Sequence, residues 1–287
     1  MLRRIIGPII RRIVGISFIV CLYIASFYPP LQKLIWKWFY DLGATRFSAG
    51  VDAFDFLNYG YAPIHSEEER LVLDEQDEIH RLSIQLYHHV ATAVPIRDKK
   101  VLEVGCGRGG GSAYIMRYLQ PKGVVGVDLS RKNIQLCRRR HHMEGLAFQE
   151  GDAENLPFDD HQFDVVINVE SSHAYPSMEK FLREVYRVLQ PGGYFLFADL
   201  RDTPMIPLLH EQLRQSKMQL LKEEDITANI LKSRDEFTEQ AHALISNRMA
   251  ILGSFTLAFL AAKGSKIYKR FQDGRMKYLC RVLQRPE

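Results

Sequence analysis

Residues 101–112 read VLEVGCGRGGGS, and this stretch decides the class of fold. Its first four residues have the apolar character of a short buried strand, and the residues after the glycines have helical character. Glycine permits a tight turn between the two elements and lets a ligand approach the backbone closely. Strand, glycine-rich turn and helix in this order indicate a nucleotide-binding α/β domain, although the spacing alone fits dinucleotides and other adenosine cofactors alike.

Strands and helices alternate on both sides of this turn, from residue 99 to residue 200. The predicted strands are nearly continuous apolar runs, which indicates burial on both faces and hence a parallel, doubly wound sheet. After an Asp-Gly turn, RMKYLCRVL (275–283) alternates apolar and polar residues and predicts a closing strand. The predicted strands of the alternating region are residues 99–104, 124–129, 146–152, 163–170 and 194–200, and the predicted helices are 109–119, 130–140 and 178–189. Ser130 and Ser177 are the predicted N-caps of the second and third of these helices.

The remaining segments are predicted to surround this core. Residues 66–94 have a helical pattern that starts with a Ser66–Glu69 capping box. Residues 205–250 are mostly helical in pattern and interrupt the alternation, so they predict an inserted cap. The predicted division of the chain is a membrane-associating segment (1–46), an N-terminal helical lid (47–98), the cofactor-binding core (99–202), a helical cap insertion (203–250) and C-terminal strands that complete the sheet (251–287).

Charge is distributed unevenly along the 287 residues. Residues 1–46 hold seven of the 38 Lys and Arg but one of the 34 acids, so the rest of the chain carries 31 bases against 33 acids. The body therefore gives no reason to expect a nucleic-acid partner. The four cysteines are scattered, without a CxxC pair or a Cys/His cluster at zinc spacing. We expect reduced thiols and no metal site.

The N-terminal segment has the composition of a membrane-interface element. Two arginine pairs precede a charge-free run from residue 13 to residue 32, which a proline pair interrupts short of the roughly 20 residues that span a bilayer. Lysines and aromatic residues interleave over residues 33–40. We expect residues 1–40 to bind a membrane surface as a monotopic or re-entrant anchor, with the catalytic domain facing the cytosol. A buried helix packed on the domain is the alternative interpretation.

Three acidic residues lie in or at the ends of successive predicted strands. Glu103 is within the first strand, Asp128 ends the second and Asp152 ends the third. The carboxyl ends of parallel strands form the ligand-binding edge of such sheets. There Asp128 could accept both ribose hydroxyls and Asp152 could meet an adenine amino group. The pattern predicts an adenosine ligand without phosphates, and the acids would also favour a cationic sulfonium.

Five motifs in order carry a family resemblance: LEVGCGRG (102–109), VVGVDLS (124–130), GDAENLPF (151–158), FDVVINVESSHAYP (163–176) and LQPGGYFLFADL (189–200). Together they resemble the class I S-adenosylmethionine-dependent methyltransferases. The resemblance implies a Rossmann-like, doubly wound seven-stranded sheet whose last strand is antiparallel, with S-adenosylmethionine as cofactor. It implies that the cofactor is bound by Glu103, Gly105, Gly107, Gly109, Asp128, Leu129, Asp152, Ala153, Asn168 and Glu170.

A histidine lies just past the fourth predicted strand, and an aspartate lies at the end of the fifth. His173 and Asp199 should therefore meet beside the transferring methyl group, because these strands are neighbours in a doubly wound sheet. An alcohol acceptor must lose its proton as the new bond forms, and histidine is the natural base near neutral pH. Asp199 could hold the imidazole tautomer and stabilise the imidazolium. The separation of the pair is similar to that in sugar O-methyltransferases of natural-product pathways.

A closer resemblance rests on IQLYHHVATAV (84–94), GDAENLPFDD (151–160), VESSHAYP (169–176) and GGYFLFADLR (192–201). These stretches are similar to the mycobacterial phthiotriolone/phenolphthiotriolone dimycocerosate methyltransferases. The resemblance implies methylation of a hydroxyl on a hydrophobic lipid, polyketide or isoprenoid. A C-methyltransferase of a quinone or sterol, and a membrane-tethered cofactor-binding or assembly protein without catalysis, are the alternatives. Candidate lid or substrate contacts are Tyr59, Tyr61, Tyr87 and His88.

Overall fold

The computed structural model describes residues 31–35, 37, 55–64, 71–245 and 261–287 of the chain. Most of the predicted membrane-associating segment and the predicted capping box at residues 66–69 lie outside these ranges. Residues 31–35 and 37, which we call the N-terminal helical segment, are the described part of that region. No helix within the described ranges is long and apolar enough to cross a membrane.

A seven-stranded sheet forms the centre of the structure, in the order β3-β2-β1-β4-β5-β7-β6. Neighbouring strands from β3 to β5 are parallel, and β7 runs antiparallel to both β5 and β6. This confirms the predicted Rossmann-like fold with an antiparallel last strand. The strands are β1 (Lys100–Val104), β2 (Gly123–Asp128), β3 (Leu146–Glu150), β4 (Phe163–Val169), β5 (Leu189–Asp202), β6 (Gln219–Asp225) and β7 (Met276–Gln284).

Apolar side chains fill a layer on each face of the sheet. Val101 and Val165, paired across β1 and β4, lie in one layer, whereas Leu102 and Val166, the next pair along, lie in the other. All four are at most 1% exposed. Successive strand side chains point to opposite faces, so continuous apolar strands supply both layers.

Besides the N-terminal helical segment and short 3₁₀ helices, seven α-helices are described around this sheet. Side chains of α1, α2, α6 and α7 pack into one layer, and those of α4 and α5 pack into the other. The predicted N-caps of α3 and α4 are confirmed, since Ser130 and Ser177 accept backbone N–H groups at 3.2 and 3.3 Å. The helices are α1 (Arg81–Ala91), α2 (Gly110–Leu119), α3 (Arg131–Arg140), α4 (Met178–Val188), α5 (Ile206–Gln215), α6 (Thr227–Ile245) and α7 (Lys266–Gln272).

The helix predicted over residues 66–94 is shorter in the structure. Residues 71–74 have no regular secondary structure, a 3₁₀ helix follows (Glu75–His80), and α1 begins at Arg81. Tertiary hydrogen bonds explain the difference: the Asp74 N–H donates to the Tyr118 hydroxyl (2.9 Å), and Arg81 donates to the Leu71 carbonyl (2.8 Å). These bonds hold backbone groups outside a helix although the local sequence favours one.

The predicted cap insertion contains a strand that the sequence pattern concealed. Residues 219–225, QLLKEED, form the edge strand β6 between α5 and α6, and most of their side chains are exposed. An exposed edge strand has no continuous apolar run, and Gln, Lys and Glu favour helices in isolation. The region 251–287, predicted to supply several strands, supplies α7 and the single strand β7 in its described part.

Candidate active site

A cavity lies at the carboxyl ends of β1, β2, β3 and β4. Its wall includes the glycine-rich turn after β1, the residues that follow the other three strands, and residues 55–59 from the N-terminal region. β1 and β4 are the strands at which the chain order of the sheet reverses, and ligands bind at such switch points in doubly wound folds.

The glycine-rich turn leaves room for a ligand beside its backbone. Gly105, Gly107 and Gly109 all have left-handed φ angles, of 78°, 53° and 84°. A Cβ on Gly107 would meet Leu57 at 3.9 Å and nothing nearer, whereas one on Gly105 would lie 2.3 Å from the Ser171 hydroxyl. Gly107 therefore borders open cavity space, and Gly105 allows the turn to pack on the residues after β4. Gly109 packs against Phe148 instead.

Asp128, at the end of β2, presents a fixed carboxylate to the cavity. One of its oxygens accepts the Gly107 N–H at 2.9 Å and the other accepts the Ser130 N–H at 2.8 Å. An ionised carboxylate only accepts hydrogen bonds and offers about four acceptor sites, and these two backbone donors fix its orientation. The neighbouring Leu129 also lines the cavity. This geometry fits an acceptor of two ribose hydroxyls.

Glu103 is buried behind the turn rather than in the cavity wall. Its carboxylate accepts hydrogen bonds from the Tyr87 hydroxyl (2.6 Å) and from the Ser112 hydroxyl, which ties β1 to α1 and α2. Burial raises the pKa of Glu103, and the two hydroxyl donors oppose that rise. Tyr87 itself lines the cavity. Glu103 thus holds Tyr87 and Ser112 in place beside the glycine-rich turn and does not itself line the cavity.

Of the other aromatic and histidine candidates, one lines the cavity and two pack elsewhere. Tyr59 lines the cavity. Tyr61 stacks on His89 with ring centroids 4.5 Å apart, and His88 Nδ1 lies 2.7 Å from the Tyr114 hydroxyl. Neither Tyr61 nor His88 is among the described residues that line the cavity.

Asn168 and Glu170, at the end of β4, have different positions. Asn168 is fully buried and its amide donates to the Val104 carbonyl at 2.8 Å and to the Ser171 hydroxyl at 2.7 Å, so it braces the turn from below. Glu170 lines the cavity with a left-handed φ of 48° and accepts the Tyr59 N–H at 2.7 Å. Burial raises the pKa of Glu170 to about 7.

His173 and Asp199 are brought together as a hydrogen-bonded pair. His173 Nδ1 lies 2.8 Å from Asp199 Oδ1; the imidazole is 29% exposed and the carboxylate is fully buried. Burial would raise the pKa of Asp199, but His173, Arg201 and hydrogen bonds hold it well below its ordinary value. An ionised carboxylate only accepts, so Nδ1 carries a proton and Nε2 of the neutral ring is left as the basic atom. His173 lines the cavity.

Two residues that the sequence analysis did not propose as site residues, Ser172 and Arg201, contact the Asp199 carboxylate of this pair. The Ser172 hydroxyl donates to Asp199 Oδ2 at 2.6 Å, and the Arg201 guanidinium lies 3.1 Å from the same oxygen. Arg201 also donates to the Ser172 hydroxyl at 2.6 Å, which closes the network. Arg201 follows Asp199 by two positions on β5, so the two-residue period of a strand could have indicated it.

Asp152 and Ala153, after β3, line the other end of the cavity. Asp152 Oδ1 accepts the Glu154 N–H at 2.9 Å, and Oδ2 lies 2.6 Å from the Lys33 ammonium. The sequence assigned Lys33 to the membrane-associating segment, and its charge pattern gave no signal of this contact.

Comparison with known proteins identifies the family. A model of the methyltransferase domain matches residues 102–197. The chain is 40% identical to the phthiotriol/phenolphthiotriol dimycocerosates methyltransferase of Mycobacterium tuberculosis, over 86% of this chain and 90% of that protein. The chain belongs to the class I S-adenosylmethionine-dependent methyltransferases. It is also 42% identical to a fatty-acid O-methyltransferase of Mycolicibacterium smegmatis, over 75% of each chain.

A solved structure supports the fold of this methyltransferase. The geranyl diphosphate C-methyltransferase of Streptomyces coelicolor, crystallised with S-adenosyl-L-homocysteine, superposes with a TM-score of 0.61 at 18% identity, over 86% of this chain and 98% of that chain. S-adenosylmethionine is the cofactor of the family, and it supplies an electrophilic methyl group on a sulfonium.

The cavity of this methyltransferase fits that cofactor. The turn leaves room for a ligand beside the backbone of Gly107, the Asp128 carboxylate is oriented so that it could accept ribose hydroxyls, and Asp152 and Ala153 bound the end expected to hold adenine. Glu170 and His173 then lie at the end expected to hold the methyl group.

Proposed function

We propose that this methyltransferase transfers the methyl group to a hydroxyl of a hydrophobic lipid, polyketide or isoprenoid, with His173 as the general base. The observation that supports this most is the His173–Asp199 pair in the cavity wall, with Nδ1 and Oδ1 2.8 Å apart. Two relatives are named for acting on dimycocerosates and on a fatty acid, and both names describe lipid-like acceptors.

The residues of this chain would act on the acceptor in one concerted step. S-adenosylmethionine would supply the electrophilic methyl group, and Nε2 of His173 would take the acceptor proton as the acceptor oxygen is methylated. Buried Asp199 stabilises the imidazolium that results, because it remains ionised between His173 and Arg201. Apart from proton removal, positioning of the acceptor contributes most of the rate enhancement, because the leaving group is already good.

A C-methyltransferase is the second candidate function, and Glu170 is the observation that favours it. This carboxyl group lines the cavity, and burial raises its pKa to about 7. A group with this pKa can take a proton from carbon near neutral pH. In that reaction Glu170, rather than His173, would be the essential base.

Identification of the methylated product distinguishes these functions. The enzyme is incubated with methyl-labelled S-adenosylmethionine and a membrane-lipid extract, and the labelled product is analysed by mass spectrometry and NMR. We expect a methyl group on oxygen in an organic-soluble product. A methyl group on carbon would favour the alternative, and label in protein or RNA would refute the small-molecule assignment. Cofactor binding without transfer to any acceptor would instead favour an assembly protein.

We also propose that residues 1–40 bring the enzyme to a membrane surface, with the catalytic domain on the cytosolic side. The basic pairs, the charge-free run of residues 13–32 and the interleaved aromatic residues support this. The test is flotation with anionic liposomes. A full-length variant with glutamine at the four N-terminal arginines should float less, and equal flotation would contradict an electrostatic contribution. The replaced residues are Arg3, Arg4, Arg11 and Arg12.

A further inference from the structure

The N-terminal helical segment, residues 31–35 and 37, contacts the cofactor cavity. Lys33 lines the cavity, and its ammonium lies 2.6 Å from Asp152 and 2.7 Å from Glu154. Lys37 makes a separate ion pair with Glu150 at 3.0 Å. The segment therefore reaches the end of the cavity formed by the residues that follow β3, more than a hundred positions away in the chain.

The two ion pairs of Lys33 lie in a partly buried setting. The Glu154 side chain is 5% exposed, the Lys33 side chain 25% and the Asp152 side chain 34%. A second oxygen of Glu154 accepts the Ser177 N–H at 2.8 Å, which anchors this carboxylate to the start of α4. A carboxylate this buried requires a charged or hydrogen-bonding partner. Lys33 supplies the positive charge within this cluster.

Lys33 also fixes the direction of the Asp152 carboxylate. With Oδ1 held by the Glu154 N–H at 2.9 Å and Oδ2 held by Lys33, Asp152 has little rotational freedom. Without the ammonium, Asp152 and Glu154 would repel each other, and the more exposed Asp152 would turn towards solvent. The adenine end of the cavity would then lose its preset hydrogen-bond acceptor.

We propose that Lys33 is a positioning residue for the cofactor: it closes the N-terminal helical segment over the adenine end of the cavity and orients Asp152 towards the adenine amino group. The segment that precedes the methyltransferase core is thereby part of the cofactor site. Lys37 has no such role, because the side chains of its ion pair with Glu150 are 34% and 42% exposed. Ion pairs this accessible to solvent contribute little to stability.

Binding of S-adenosylhomocysteine to full-length variants tests this proposal. Lys33→Met keeps the aliphatic side chain and removes the charge, and Lys37→Met is the matched control. We expect Lys33→Met to raise the Kd of S-adenosylhomocysteine about tenfold, as loss of one charge-assisted hydrogen bond would do, and to speed its dissociation. Lys37→Met should change the Kd less than about twofold, and Lys33→Arg should restore most of the affinity.

Calorimetry gives the Kd and stopped-flow fluorescence gives the dissociation rate. An unchanged Kd in Lys33→Met would overturn the proposal. Tighter binding would also overturn it, because it would mean that Lys33 competes with adenine for Asp152. If Lys33 had only a structural role, Lys33→Met would lower the melting temperature of the free protein, but the dissociation rates of S-adenosylhomocysteine from Lys33→Met and Lys37→Met would not differ. No acceptor is needed, so the result is independent of whether oxygen or carbon is methylated.

Discussion

Replacing His173 with alanine tests the catalytic assignment most directly. The imidazole lines the cavity and contacts the Asp199 carboxylate, and its removal leaves Asp199 paired with Ser172 and Arg201. The variant therefore contains no uncompensated buried charge, unlike a variant that truncates Asp199. We expect its stability to change by about 1 kcal/mol or less, since the lost side chain is partly exposed.

The expected loss of activity follows from the role of a general base. Such a base contributes about 10²–10⁴-fold in rate, or about 3–5 kcal/mol of barrier. In the His173→Ala variant, kcat for methylation of the acceptor hydroxyl should fall by this factor, while the Kd of S-adenosylhomocysteine stays within about twofold. Added imidazole should restore part of the rate, because the deleted ring leaves space that opens to the cavity.

The assay is initial-rate transfer of labelled methyl to the acceptor, with thermal unfolding and cofactor binding measured on the same preparations. The exposed His142 provides a matched control, and His142→Ala should retain the full rate. A His173→Ala variant with kcat within about threefold of the unmodified enzyme would refute the reasoning. A loss of cofactor affinity equal to the loss of rate would also refute it, because His173 would then be structural.

Three further predictions, which use four variants, test the site. Gly107→Ala should weaken S-adenosylhomocysteine binding about tenfold or more and lower the free energy of urea unfolding by about 1 kcal/mol, because its Cβ enters the open cavity. Gly111→Ala should lower the free energy of unfolding by about 3 kcal/mol, because its Cβ would lie 2.1 Å from the Tyr87 ring. Equal losses of stability in the two variants would contradict this contrast. Asp128→Asn should raise the same Kd about tenfold by calorimetry, since it removes acceptors for ribose hydroxyls, and an unchanged Kd would argue against the ribose assignment. The pKa of Glu170 is raised from 4.5 to about 7. Its contribution to stability is therefore full below about pH 4.5 and is lost as the pH rises through 7, by up to about 3 kcal/mol. Glu170→Gln should flatten the dependence of the unfolding free energy in urea on pH between pH 5 and pH 8, and parallel profiles of variant and unmodified enzyme would show that Glu170 does not titrate there.

The order of elements and the ligand-binding edge were predictable from local sequence. Continuous apolar runs and the glycine-rich turn placed the parallel strands, and the N-caps at Ser130 and Ser177 marked two helix starts. Strand ends in a parallel sheet share one edge, so the position of His173 after β4 and of Asp199 near the end of β5 predicted their meeting. The edge strand β6 was not predictable, because exposed residues carry no burial pattern.

By itself, the sequence determined the class of fold, the edge of the sheet at which the cavity lies and the residue types that meet there. Backbone hydrogen bonding and burial give strands and helices short repeating patterns of apolar residues, and these patterns can be recognised in the sequence. Only the tertiary structure decided which charges pair: Arg201 and Ser172 with Asp199, and Lys33 with Asp152 and Glu154. The direction of a long charged side chain depends on elements distant in sequence. A segment whose composition indicates a membrane interface therefore also contributes a lysine to the wall of the cavity.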